Sequence, residues 1–172
     1  MRAIFAGTRV EAFKELEKKT EVVKVISTKN SKLMSYIHKK KKYFKKTKII
    51  NDKNKIECFK IIKKFDADLF LSAGFPFIIP QKYFDKKKIM INSHPSYLPN
   101  YKGFNPIKDS YKNNEIFYGS TLHFIEKKVD SGKIIFQKKV NLKSKKIKQI
   151  YNILFSKIEP KVITFGLKKL NI

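Results

Sequence analysis

The sequence contains one cysteine, no tryptophan and only two arginines among its 172 residues. A single thiol cannot form a disulfide within the chain, which favours a reducing compartment and predicts a cytoplasmic protein. The longest nearly apolar run, Leu69–Pro80, is about half a membrane span long and contains Ser72 and Gly74. The opening segment, Met1–Gly7, reaches a glycine too soon for a signal peptide. These absences predict a chain without a membrane partner.

Acidic residues are also scarce, since 14 Asp and Glu stand against 40 Lys and Arg and leave a formal net charge of +26. Nearly all the basic residues are lysines, which lack the planar fork that recognises phosphates and bases. This imbalance favours the codon bias of an AT-rich genome over selection for nucleic-acid binding. Nonspecific binding of polyanions at low salt is expected in either case.

The lysine run Lys39–Lys46 is the best candidate for a nucleic-acid surface, because Tyr43 and Phe44 interrupt its charge. The alternative is a solvated face whose two aromatic side chains pack on the core. We favour the alternative, and a basic nucleic-acid-binding module stays the non-enzymatic hypothesis for the chain.

Hydrophobic residues make up 42% of the chain, and 15 of them are phenylalanines. This content excludes a disordered polycation, and the length suits one domain, predicted to span residues 1–172. Short apolar runs alternate with helical patterns in the first half, which is typical of a parallel sheet covered by helices. Strands are predicted at Arg2–Gly7, Glu21–Ser27, Lys48–Ile50, Ala67–Gly74 and Lys88–His94.

The second half begins with a loop, Pro95–Pro106, that holds too many prolines for regular structure. Two strands are predicted after it, Ser120–Glu126 and Lys133–Val140, followed by a helix over Ile147–Ile158. The predicted fold class is therefore α/β: a Rossmann-like, mostly parallel, twisted sheet of about seven strands with helices on both faces.

Polar side chains stand where one of these strands ends. Asn92 and His94 are two residues apart, so their side chains share one face of the strand. In an open α/β sheet, ligands bind beyond the carboxyl ends of the strands. Pro95 keeps the backbone of His94 extended, which helps to aim its ring. An Asn-x-His pair alone is weak evidence of catalysis, and a hydrogen-bonded structural histidine is the alternative.

Three motifs surround this pair: NSHPSYLPNYKG at Asn92–Gly103, GSTLH at Gly119–His123 and DSGKI at Asp130–Ile134. They resemble the signature of the 10-formyltetrahydrofolate-dependent formyltransferase family, N-x-H-x-S-x-L-P-x-(Y/F)-(R/K)-G, then G-x-T-x-H, then D-x-G-x-I. Every letter of the signature is present and in order. The resemblance extends from Met1 to about Leu170.

The resemblance implies a catalytic trio of Asn92, His94 and Asp130. It also implies transfer of a formyl group from N10 of the folate cosubstrate, 10-formyltetrahydrofolate, directly to a primary amine, with no covalent enzyme intermediate and no metal. The three histidines are not at metal-binding spacing. Asn92 and a protonated His94 would donate hydrogen bonds to the oxygen that gains charge, and Asp130 would raise the pKa of His94 and move a proton through a water.

Further site residues are expected from the same resemblance. Phe77, Ile78, Ile79 and Val129 would contact the pterin ring of the folate, and the alternative for the first three is ordinary loop packing. Thr8, Lys102, Gly103, Thr121 and His123 would bind the substrate, with Lys102 placed to contact an acceptor phosphate. Thr121 and His123 share a strand face, from which they would support the trio, and the alternative for both is structural hydrogen bonding.

The acceptor amine is the least determined part of the prediction. The segment Tyr97–Pro106 resembles enzymes that formylate nucleotide-linked amino sugars, and such a phosphorylated small molecule is the expected acceptor. Gly7-Thr8-Arg9 lacks the phosphate loop of the glycinamide ribonucleotide enzymes of purine biosynthesis. Methionyl-tRNA formyltransferases share the opening Phe5–Thr8. Glycinamide ribonucleotide, methionyl-tRNA and hydrolysis of formyltetrahydrofolate stay as alternatives.

Overall fold

The computed structural model describes residues Met1–Ile172 as seven strands and six α-helices. The strands are β1 (Arg2–Gly7), β2 (Glu21–Ser27), β3 (Thr47–Ile49), β4 (Leu69–Ala73), β5 (Ile89–His94), β6 (Phe117–Phe124) and β7 (Ile134–Asn141). The helices are α1 (Val10–Lys19), α2 (Lys32–Lys40), α3 (Lys55–Lys64), α4 (Pro106–Lys112), α5 (Ile147–Ile153) and α6 (Glu159–Lys169). A π-helical turn, Leu154–Ile158, separates the last two helices.

The strands form one sheet in the order β3-β2-β1-β4-β5-β6-β7. β1 runs parallel to β2 and β4, and β2 runs parallel to β3, whereas β6 and β7 form an antiparallel pair. The predicted α/β fold with a mostly parallel sheet of about seven strands is confirmed. The chain divides into two compact units, Met1–Ile91 and Asn92–Ile172.

The first unit is built on β1 and β4, whose residues are apolar and buried along almost their whole length. Continuous burial is typical of central parallel strands that are covered on both faces. Helix α1 packs through Ala12, Phe13 and Leu16, and the Phe13 ring meets the edge of Phe5 at 5.4 Å between centroids. The turn after β1 and the loop after β4 therefore start from rigid strands.

Helix α2 occupies a segment in which the sequence pattern predicts no element. Ser31 caps it by accepting a hydrogen bond from the Met34 amide, and Leu33, Met34 and Ile37 are its buried face. This cap and these apolar positions were a helix signal that the neighbouring lysines obscured.

The two aromatic residues of the lysine run Lys39–Lys46 differ in burial. Tyr43 is 2% exposed, packs edge-on against Phe13 at 5.2 Å and donates its hydroxyl to Glu17 at 2.7 Å. Phe44 is 56% exposed. The interpretation of a solvated face with aromatics docked on the core is thus confirmed for Tyr43 and wrong for Phe44.

The second unit combines the β6–β7 hairpin with α4, α5 and α6. Helix α6 packs on β6 at Gly166, where an added Cβ would overlap the Leu122 side chain. At the start of the same helix, Ser93 of β5 donates a hydrogen bond of 2.9 Å to the buried Glu159 carboxylate. Because side chains alternate along a strand, Ser93 points away from the face that carries Asn92 and His94. None of the helices is both long and apolar enough for a bilayer crossing.

Candidate active site

The end of β5 and the β6–β7 turn bring the predicted trio together. Asn92 and His94 are the fourth and last residues of β5, and Asp130 lies in the turn with a φ of 48°. A positive φ is uncommon outside glycine, although aspartate tolerates it better than most residues. His94 and Asp130 are both largely buried, with side chains only 5% and 8% exposed.

The Asp130 carboxylate is the centre of the site. Its Oδ2 lies 3.3 Å from His94 Nδ1 and accepts a hydrogen bond of 2.9 Å from the Gly103 amide. Its Oδ1 lies 3.5 Å from His123 Nε2 and 3.4 Å from Asn92 Nδ2. The carboxylate therefore joins residues from β5, β6 and the loop between them into one polar cluster.

The His94 ring is held from both sides. Its Nε2 lies 2.8 Å from the Tyr101 carbonyl oxygen, which can only accept, so Nε2 carries a hydrogen and donates it. In a neutral ring, Nδ1 is then bare and faces the Asp130 carboxylate. The 3.3 Å separation between them is longer than a charge-assisted hydrogen bond of about 2.8 Å. This pair is arranged to take up one proton.

The His123 ring is the other tautomer, with its hydrogen on Nδ1. Its Nδ1 donates to the Phe124 carbonyl oxygen at 2.8 Å, which leaves Nε2 of the neutral ring as an acceptor. Asn92 Nδ2 lies 3.2 Å from that nitrogen. The Asn92 amide nitrogen thus faces both His123 and Asp130 and donates toward them.

Burial sets the pKa of His94. Burial lowers this pKa below the ordinary value for histidine, while the Asp130 charge and the Tyr101 carbonyl oppose the decrease without cancelling it. Asp130 therefore acts to raise the His94 pKa, as expected, but the expected net increase is wrong because the cost of desolvating the buried ring is larger. Burial acts to raise the pKa of Asp130, but interactions with the neighbouring His123 and His94 rings and the hydrogen bond from the Gly103 amide lower it overall.

Thr121 anchors the loop that follows β5. Its hydroxyl lies 2.8 Å from the Ser96 carbonyl oxygen and accepts a hydrogen bond of 3.1 Å from the Leu98 amide. Its side chain also lies 3.2 Å from the Gln137 Oε1 atom of β7. Thr121 is completely buried, and its hydrogen bonds are structural, as in the alternative considered for it. Its contribution to substrate binding stays a prediction.

Gly103 and Lys102 lie further along the same loop. Gly103 has a φ of 92°, in the region that favours glycine, and its amide holds Asp130. Lys102 is exposed beside it. The structure thus gives Gly103 a defined contact with the trio, whereas acceptor binding by these two residues stays a prediction.

The remaining predicted site residues lie in one or the other of the two compact units. In the first unit, Thr8 donates to the Gly74 carbonyl oxygen at 3.2 Å, and Phe77 meets the Phe75 ring at 6.1 Å. Ile79 is 8% exposed, while Ile78 is 54% exposed. In the second unit, Val129 is exposed beside Asp130. Pterin binding by Phe77, Ile78, Ile79 and Val129, and substrate binding by Thr8, stay predictions.

Two contacts that complete the site involve backbone carbonyls, those of Tyr101 and Phe124. No side-chain pattern in the sequence marks a carbonyl as a partner, so sequence reasoning missed both. The signal for His123 was its alternation with Thr121, which predicted support for the trio. No group of three or more His, Cys, Asp or Glu side chains is arranged to hold a metal ion.

These elements and motifs define an α/β protein with an Asn-His-Asp centre at the end of β5. The formyl transferase family model matches residues 3–164, and the chain belongs to that family.

Two curated relatives are methionyl-tRNA formyltransferases. That of Mycoplasmopsis pulmonis is 32% identical over 180 residues, covering 99% of this chain and 62% of that protein. That of Borreliella afzelii is 30% identical, covering 94% of this chain and 54% of that protein. The chain therefore spans little more than half the length of these relatives.

Solved structures share the fold. Phosphoribosylglycinamide formyltransferase from Streptococcus pneumoniae superposes with a TM-score of 0.82 at 20% identity, covering 99% of this chain and 98% of that chain. An N-formyltransferase from Helicobacter canadensis, in complex with folinic acid and dTDP-3-aminofucose, gives a TM-score of 0.75 at 21% identity, covering 99% of this chain and 64% of that chain. At these identities the comparison shows the fold alone.

Proposed function

We propose that this chain transfers a formyl group from 10-formyltetrahydrofolate to a primary amine, with Asn92, His94 and Asp130 as its catalytic residues. The observation that carries the proposal is the Asp130 carboxylate, which lies within 3.5 Å of side-chain nitrogens of Asn92, His94 and His123. An amide donor, an imidazole and a carboxylate in one buried cluster fit a carbonyl carbon under attack by an amine. The folate cosubstrate would supply the activated formyl group.

Asn92 would stabilise the negative charge that develops on the formyl oxygen. Its contact with Asp130, at 3.4 Å, is longer than a good hydrogen bond and is the easiest one to exchange for a substrate oxygen. Catalytic hydrogen bonds are often long before substrate binds. The bond from Asn92 to His123 holds the amide in place during that exchange.

The His94–Asp130 pair would accept the proton that the attacking amine must lose. Nδ1 and Oδ2 face each other and, in the neutral ring, no hydrogen lies between them, so one proton can be shared there. The same proton can then be returned to N10 of the folate as the carbon–nitrogen bond breaks. Both ring nitrogens of His94 already have partners, so we infer that His94 acts through its proton and its charge and does not donate a free N–H to the oxyanion.

We propose methionyl-tRNA as the acceptor to test first. The support is the similarity to two methionyl-tRNA formyltransferases, at 32% and 30% identity over nearly the whole chain. The nucleotide-linked amino sugar expected from Tyr97–Pro106 stays a prediction, as do the cytoplasmic location and the single domain over residues 1–172.

An amine screen with 10-formyltetrahydrofolate tests the proposal. Release of tetrahydrofolate would be followed with methionyl-tRNA, glycinamide ribonucleotide or a nucleotide-linked amino sugar, and with no amine. We expect release that depends on an amine and is fastest with methionyl-tRNA. Release that is equally fast without any amine would show hydrolysis and contradict formyl transfer, whereas activity on the amino sugar alone would replace only the proposed acceptor.

A further inference from the structure

Tyr101 contacts the site through its backbone and the rest of its unit through its side chain. Its carbonyl oxygen accepts the His94 Nε2 hydrogen at 2.8 Å. Its hydroxyl donates to Glu115 Oε1 at 2.7 Å and accepts a hydrogen bond of 3.1 Å from Asn113 Nδ2. The backbone of Tyr101 has a φ of 55°, a conformation that is uncommon for a tyrosine. A strained residue of this kind persists only where its surroundings hold it.

We propose that Tyr101 is a positioning residue, whose side chain, tied to Glu115 and Asn113, keeps its carbonyl on His94 and thereby keeps the ring hydrogen on Nε2. This inference deepens the proposed function and rests on it, since its purpose is to leave Nδ1 bare and facing Asp130. We call Tyr101, Asn113 and Glu115 the tyrosine latch.

The latch has a chemical purpose because the neutral His94 ring has a choice between two tautomers. Asp130 Oδ2, 3.3 Å from Nδ1, attracts the ring hydrogen to that nitrogen. The Tyr101 carbonyl competes for it at Nε2 from a shorter distance of 2.8 Å. If the carbonyl moved away, the carboxylate would decide the outcome, and the hydrogen would lie on Nδ1. The position between His94 and Asp130 would then be filled before the amine releases its proton.

The charges around the latch support it at neutral pH. The Asn113 amide acts to lower the pKa of Tyr101, while the bond to Glu115, burial and the charges of Glu115 and Asp109 raise it overall. The hydroxyl therefore keeps its hydrogen and donates it to Glu115. Around His94, the charged and titratable groups that act on the ring are Asp130 and His123. The ring is thus influenced from one side by these two residues and held from the other by Tyr101.

Nuclear magnetic resonance of the ring nitrogens tests the latch in the full chain. The sequence has three histidines, so ¹⁵N-histidine labelling gives a simple spectrum, which His38→Gln and His123→Gln variants would assign. We expect the Nε2–H tautomer of His94 in the wild type and a population shifted toward Nδ1–H in Tyr101→Phe, which removes only the hydroxyl. Tyr111→Phe, which removes an exposed hydroxyl from α4 outside the latch, is the matched control and should leave the tautomer unchanged. The same tautomer in Tyr101→Phe as in the wild type would overturn the inference.

Substitution of Glu115 gives an independent check. Glu115→Gln keeps an oxygen that can accept from Tyr101, so it should keep the Nε2–H tautomer, and Glu115→Ala should lose it. With the proposed reaction, kcat of Tyr101→Phe should fall by about tenfold with little change in KM for the folate. A raised kcat would overturn the inference, because Tyr101 would then be an obstacle. The nitrogen spectra need no turnover, so failure of the latch and failure of the proposed function give different results.

Discussion

At the scale of single residues, the proposed reaction requires Asn92 to exchange its 3.4 Å contact with Asp130 for a hydrogen bond to the formyl oxygen. Because its bond to a formyl oxygen would strengthen as charge develops, its loss should affect the transition state more than the ground state. We predict that Asn92→Ala lowers kcat for formyl transfer by about 10²–10³-fold while KM for 10-formyltetrahydrofolate changes little. Steady-state kinetics with the amine identified by the screen would measure both constants.

Asn100→Ala is the matched control for this variant. Asn100 is an exposed asparagine in the loop after β5, and we expect kcat close to that of the wild type. An equal loss of kcat and of folate affinity in Asn92→Ala would assign Asn92 to ground-state binding and remove it from the catalytic role.

Protonation of His94 should change the free energy of unfolding of the chain. Its pKa is lowered in the folded chain by burial, so the unfolded chain binds more protons in the range between the two pKa values. The free energy of unfolding should therefore decrease as the pH falls below about 6.5, the pKa of an unfolded histidine, and level off below the folded pKa. Urea unfolding at about one measurement per half pH unit between pH 8 and pH 5 would measure this change in the free energy of unfolding.

His94→Gln should remove part of the slope, since glutamine does not titrate. A slope that is identical in the wild type and in His94→Gln would show that burial of this ring does not cause the pH dependence.

At the scale of elements, the hairpin that carries Asp130 depends on close packing of α6 on β6. An added Cβ at Gly166 would overlap the Leu122 side chain. We predict that Gly166→Ala destabilises the chain by about 1–3 kcal/mol, as overpacking generally does. The same change should cost less in a Leu122→Ala background, where the space is open, and urea unfolding of the four chains would give the coupling. Additive effects would contradict this packing.

The elements themselves were largely predictable, because their patterns are local. Buried runs such as Glu21–Ser27 match β2 to the residue, and the predicted strand Lys88–His94 differs from β5 by one residue. The predicted helix over Ile147–Ile158 consists of α5, which ends at Ile153, and the π-helical turn Leu154–Ile158, which leads into α6. Helix α2 was missed because lysines dilute its apolar face.

The sequence predicted only those parts of the candidate site that side chains form. Alternation along β5 placed Asn92 and His94 on one face, and the motif after β6 supplied Asp130. The charge of His94 could not be predicted, since it depends on burial, which the sequence does not quantify. The carbonyls of Tyr101 and Phe124, which set the tautomers of His94 and His123, have no sequence signal at all.

At the scale of the whole molecule, the net charge of +26 predicts binding that does not depend on catalysis. We expect affinity for a single-stranded RNA to fall steeply with salt and to be the same for the wild type and His94→Gln. Fluorescence anisotropy over a salt series would measure the slope. Affinity that resists salt, or that depends on base sequence, would instead favour a dedicated nucleic-acid surface.

The central claim is that Asp130, held by the Gly103 amide and facing Asn92 and His94, moves the proton during formyl transfer. Its most direct test is single-turnover formyl transfer by Asp130→Asn, which keeps the shape of the side chain and removes its basicity. We predict that the rate falls by about 10²-fold or more while cooperative unfolding persists. A folded Asp130→Asn variant with a rate within about threefold of the wild type would contradict the account.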